Sequence, residues 1–120
     1  MKKKMFIIPW VIFPFDVLVC LGTKREDILR KLKSHRYAVS KQEDEHLVMY
    51  GAGRTVMMGG GQTVLWLKNY PKVGSGVLAH EMLHSIDFIL DRIGIQKGEN
   101  CDELWCYMME YLNNEINKRI

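Results

Sequence analysis

The chain has 120 residues, 48% of them hydrophobic, which is enough for one apolar core and too few for a second lobe. Its 17 basic and 14 acidic residues leave a formal charge of +3, and the basic clusters, Lys2 to Lys4 and KREDILRKLKSHR, are not interleaved with aromatic residues; this argues for a solvated helix face beside a charged terminus and against a nucleic-acid surface. Three cysteines, Cys20, Cys101 and Cys106, are an odd count without C-x-x-C spacing, which indicates neither a disulfide framework nor a cysteine zinc site and fits a reducing, cytoplasmic setting.

The chain starts with MKKKMFIIPWVIFPF, a basic stretch and an apolar run that imitate a secretory leader. Two prolines interrupt the run, Asp16 follows it, no A-x-A site is present, and the apolar stretch is shorter than a membrane span. It is expected to be part of the fold, and no membrane association is expected. DVLVCLG, valine-rich and closed by glycine, predicts a buried first strand. Thr23, with Glu26 three residues on, predicts a capping box for the helix EDILRKLKSH, whose apolar stripe is Ile28, Leu29 and Leu32. After the polar loop SKQEDE, HLVMYG predicts a second strand, and TVMM and TVLWL flank GGGQ as a hairpin. Asn69, Tyr70 and Pro71 stop the last strand, and Gly74, Ser75 and Gly76 form a loop before a helix from near Val77 to about Ile93, with Gly94 as its C-terminal stop. A third helix, DELWCYMMEYLNNEIN, follows IQKGENC, with Asn100 or Asp102 as N-cap. The order of strand, helix, three strands and two helices predicts a single α+β domain over residues 1–120 with a mixed four-stranded sheet.

The stretch that carries chemistry is VLAHEMLHSIDFIL, which contains H-E-x-x-H. On a helix, His80 and His84 share one face and Glu81 lies about 100° round from His80. Two neutral imidazoles on one face can hold a zinc ion that acidifies a water, and the glutamate beside them can take its proton as general base. About one shuffled chain in a hundred would contain the motif by chance. Here it falls on a helix predicted independently, among apolar neighbours, and it takes two of the four histidines. A catalytic zinc generally needs a third protein ligand. No histidine follows His84, so carboxylates remain: Glu103, after 18 intervening residues, gives H-E-x-x-H-x18-E. Asp102, in the first turn of the third helix, is better used as a cap, and Glu99 reads as a loop residue.

HEMLH followed after 18 residues by the glutamate of DELWCYMMEYL resembles the gluzincins, zinc peptidases whose third ligand is a glutamate on a later helix. In size the chain is similar to the single-domain minigluzincins. ENCDELWCYMMEYL is similar to small H-E-x-x-H proteins of phages and mobile elements, in which a comparable E-x-x-x-Y segment recurs. The resemblance covers Thr63 to Leu112 and implies a small zincin-like domain, with an active-site helix followed by a glutamate-bearing one. It also implies zinc held by His80, His84 and Glu103 and Glu81 as the base. The pattern departs from the family in having no separate C-terminal lobe to wall a cleft and no obvious histidine for the oxyanion.

Spacing leaves other residues with two readings. Asp87 shares the face of His80 and His84 and is either an acceptor that orients a ligand ring or a surface residue. Tyr107, four residues after Glu103, either faces the metal and donates to the developing oxyanion or packs in the core. Cys101 and Cys106 do not share a helix face and read as packing or incidental thiols. TVLWLKN is a candidate edge strand to which a peptide could add, conditional on its place in the sheet; Thr63, Leu65 and Leu67 lie on one face of it and Val64 and Trp66 on the other. The reading is a zinc-dependent peptidase acting on peptides or flexible protein segments. Its rivals are a catalytically silent zinc-binding interaction or assembly protein, plugged by MKKKMFIIPWVIFP or NNEINKRI, and a structural domain whose histidines are satisfied in its core.

Overall fold

The computed structural model describes residues 3–34, 39–41, 45, 47–72, 74–96, 98 and 102–120. The leader-like start is half of a hairpin: β1 (Lys4–Pro9) pairs antiparallel with β2 (Asp16–Leu21), Lys4 opposite Leu21 and Pro9 opposite Asp16. Between them the Trp10 N–H donates to the Phe15 carbonyl at 3.1 Å. Pro9 closes β1 at the edge of the sheet, where a residue without an N–H is tolerated. β2 is an inner strand buried on both faces, which is why its sequence is continuously apolar.

Helix α1 (Arg25–Ser34) begins one residue later than the capping-box reading required. The Lys24 N–H donates to Asp27 Oδ2 at 3.2 Å. Thr23 is instead buried, its carbonyl accepting from Trp66 Nε1 at 2.9 Å and its hydroxyl making no capping bond. Ile28 and Leu32 pack against Leu18, Cys20, Val64 and Trp66, so α1 covers one face of the sheet.

β3 (Gly53–Met57) and β4 (Thr63–Leu67) form the predicted hairpin, with Met57 opposite Thr63. Gly61, at φ 94°, takes the positive backbone angle the turn needs, and its N–H donates to the Met58 carbonyl at 3.0 Å. β4 also pairs parallel with β2, giving the order β1-β2-β4-β3. Two expectations are corrected here. TVLWL is an inner strand and not an edge; the edge on that side is β3. Residues 47–50 form no strand, and the fourth strand is β1 instead. Leu47 is buried under the α1 face while Arg25 Nε donates to its carbonyl at 2.8 Å, and Arg54 donates to the Val48 carbonyl. Side-chain donors thus satisfy that backbone without a ladder; His46 lies outside the described residues.

The other face carries α2 (Ser75–Arg92) and α3 (Asp102–Arg119). Leu78, Met82, Ile86, Ile89 and Leu90 of α2 close over Val17, Val19, Leu65 and Leu67, and Trp105, Met108, Leu112 and Ile116 of α3 complete the cluster. Each such side chain contributes about 1.5–3 kcal/mol by leaving water. α2 stops as predicted at Gly94 (φ 83°): its N–H donates to the Asp91 carbonyl and the Ile95 N–H to the Leu90 carbonyl, the paired bonds of a Schellman ending. The result is an α+β domain of three layers, α1, the mixed four-stranded sheet, and α2 with α3. Among the described residues no helix is long and apolar enough to cross a membrane.

Candidate metal centre

The first half of α2 lies against β3, and a glycine sets how closely. A Cβ at Gly53 would sit 2.9 Å from Leu67 Cδ2, 3.0 Å from Val77 Cγ1 and 3.1 Å from Glu81 Cγ, so with glycine the strand and helix approach without those side chains having to shift. Two positions on, and so on the same face of β3, Thr55 meets Glu81. The Thr55 hydroxyl donates to Glu81 Oε1 at 2.7 Å and lies 3.1 Å from the Glu81 carbonyl. That carbonyl also accepts from the Ser85 hydroxyl at 3.0 Å. Glu81 is only 6% exposed. Burying a carboxylate is costly unless it is hydrogen-bonded, and here one oxygen is.

The other oxygen, Oε2, lies 3.9 Å from His80 Nε2. His80 and His84 stand on the exposed side of α2, one turn apart, with the His80 side chain 67% exposed. Their Nε2 atoms are 3.1 Å apart and their rings meet edge to face at 77°, while His84 stacks on Phe88 at 6.2 Å. Two nitrogens at this distance can share a proton or a cation. Nitrogens bound at about 2.0–2.1 Å to one tetrahedral zinc lie about 3.3 Å apart. The pair therefore fits zinc as a two-nitrogen donor set, with Glu81 beside it.

Glu103 does not join that set. It is exposed in the first turn of α3, and among the described residues no three His, Cys, Asp or Glu side chains converge closely enough to hold a metal ion. The reason lies in how α3 is seated. Trp105 is buried and its Nε1 donates to Asp87 Oδ1 at 2.6 Å, so that position faces α2. Glu103, two residues earlier, is turned about 200° away. Asp87 thus neither orients a histidine ring nor stands free on the surface; it anchors α3. Asp102 is exposed in the same first turn, and Glu99 and Cys101 lie outside the described residues.

Tyr107 shares the face of Glu103 and is likewise not at the histidine pair. It is 64% exposed and lines an apolar groove of ≈ 190 Å³ with Trp10, Ile12, Leu104, Met108 and Tyr111. Of the two candidate plugs, among the described residues Lys4–Pro9 lies in the sheet and NNEINKRI continues α3 to Arg119. Beside Phe88 a larger pocket of ≈ 460 Å³, lined by Asp87, Asp91, Ile95, Gln96 and Trp105, opens next to the site. The thiols are elsewhere. Burial pushes the Cys20 thiol up to about 12, which removes it as a nucleophile, and Cys106 is exposed on α3.

Sequence reasoning missed Gly53 and Thr55. The available signal was in GRTVM, where the inward positions of the strand hold Gly53 and Thr55 before Met57. Which strand lay beside α2 was not readable from the residues. The chain matches no family model, and comparison with curated proteins and with solved structures likewise returned no match.

Proposed function

We propose that this chain is a zinc-dependent metallopeptidase of gluzincin type, cutting peptides or flexible protein segments in a cytoplasmic setting, in a phage or mobile-element context. One observation carries the reading: a buried, hydrogen-bonded glutamate beside two exposed histidines whose Nε2 atoms are 3.1 Å apart. A structural role would satisfy the histidines in the core, yet both face solvent.

His80 and His84 would hold the ion. Glu103 is the proposed third ligand on its spacing, a role that requires the first turn of α3 to rotate it toward α2. Zinc bound there supplies a Lewis acid and lowers the pKa of water toward about 7. Glu81, with Oε1 fixed by Thr55, takes a proton from the attacking water at Oε2 and returns it to the leaving amine. The free edge of β3, beside Glu81, is where an extended peptide would lie, in place of β4. Tyr107 faces the apolar groove and is given no step.

The alternative is a zinc-binding interaction or assembly protein without turnover, favoured by the two-donor rather than three-donor grouping. Hydrolysis separates the two. Glu81→Gln is expected to abolish cleavage of a flexible substrate such as casein while keeping zinc; cleavage at the wild-type rate would defeat the peptidase assignment.

A further inference from the structure

We propose that Thr55, on the edge strand β3, is the positioning residue that fixes the orientation of the Glu81 carboxylate, holding one oxygen so that the other is turned to the histidine pair; this rests on the reading of Glu81 as the general base. The two oxygens are inequivalent. Oε1 accepts the Thr55 hydroxyl at 2.7 Å, whereas Oε2 lies toward the histidine pair, 3.9 Å from His80 Nε2. A glutamate's terminal torsion is broad and roughly two-fold, so nothing intrinsic to the side chain selects that orientation. A hydrogen bond to one oxygen does.

Thr55 has one proton, and its destination follows from the surroundings. The Glu81 carbonyl, at 3.1 Å, is served by the Ser85 hydroxyl, leaving the shorter contact to Oε1 for Thr55. Gly53 makes that contact possible by letting β3 approach the side chain to within the room a methyl group would occupy. The hydroxyl also sits on a strand and not a loop, and is held by pairing with β4, Thr55 opposite Leu65. Sites built on regular elements hold such geometry better than sites on loops.

The experiment compares wild type, Thr55→Val, Thr55→Ser, Glu81→Gln, Glu81→Ala and the double variant Thr55→Val/Glu81→Ala. The readouts are zinc content, kcat and KM on fluorescein-labelled casein, and urea unfolding of the metal-free proteins. Thr55→Val is expected to keep its zinc and a KM within about twofold while kcat falls about 10- to 100-fold, and Thr55→Ser to restore most of it. In the metal-free proteins the losses from Thr55→Val and Glu81→Ala should be non-additive in the double variant, a coupling independent of turnover. Unchanged kcat in Thr55→Val, failure of Thr55→Ser to restore it, zinc lost in step with kcat, or additive losses would each overturn the proposal. Should Thr55→Val not fold, Thr55→Ala carries the test: it removes the hydroxyl with a smaller side chain, and a kcat equal to wild type would overturn the proposal. If Glu81→Gln hydrolyses as wild type does, or wild type does not hydrolyse, the peptidase reading falls and Thr55 with it. If Glu81→Gln is silent and Thr55→Val is not, only Thr55 falls.

Discussion

The corner between β3 and α2 and the first turn of α3 each present a glutamate, and the two are treated differently by the fold. Glu81 is buried, with one oxygen held by a strand hydroxyl and the other left beside a histidine. Glu103 is exposed, on the side of α3 away from Trp105, the residue that docks the helix on α2. A carboxylate taken out of water and given one partner has been placed at a cost. One standing in water has been placed at none, so its role rests on spacing alone. The difference separates what the geometry supports, a base beside two nitrogens, from what only the motif suggests, a third ligand.

Substitutions can break this contrast, and the largest effect belongs to the corner. Glu81→Gln should lower casein hydrolysis by at least about 10²-fold with zinc retained, read by turnover and elemental zinc on the same sample; loss of zinc would recast Glu81 as a structural residue. His80→Ala should next weaken zinc binding enough that added zinc no longer raises the unfolding midpoint, as a ligand bound only to the folded state must. Asp87→Ala links the regions. It removes the charged acceptor Asp87 gives the Trp105 N–H and should cost about 1.5–3 kcal/mol in urea unfolding. For Glu103→Ala the metal-free stability should stay within about 0.5 kcal/mol of wild type, as at an exposed site, while zinc affinity falls; unaltered affinity would remove Glu103 from the ligand set. The smallest change is expected of Tyr107→Phe, which should leave kcat nearly as it was because the ring lines a groove and not the histidine pair.

The H-E-x-x-H helix, its Gly94 ending, the β3–β4 hairpin and the α+β class were legible because each rests on local signals: a helical period, a turn glycine, a run bounded by breakers. β1 was obscured because KMFIIPWVIFPF looks like a leader until it pairs with β2, a contact no local pattern announces. HLVMYG is a short apolar run ended by glycine, as a strand can be, yet Arg25 and Arg54 take the Leu47 and Val48 carbonyls. In the site, the helical residues Glu81, His80 and His84 came from spacing. Thr55 and Gly53 did not, because their importance depends on sheet order, and β3 reached the edge only when β4 paired with β2. The facing of Glu103 and Tyr107 was equally hidden, since it depends on Trp105 finding Asp87.

The central claim, that His80 and His84 are a zinc pair, is tested most directly by elemental analysis of zinc in wild type and His84→Ala, both purified without added metal or a histidine tag. About one zinc per chain is expected in the wild type and a small fraction of that in the variant. Equal zinc in both, or none in the wild type even after zinc is offered, would contradict it.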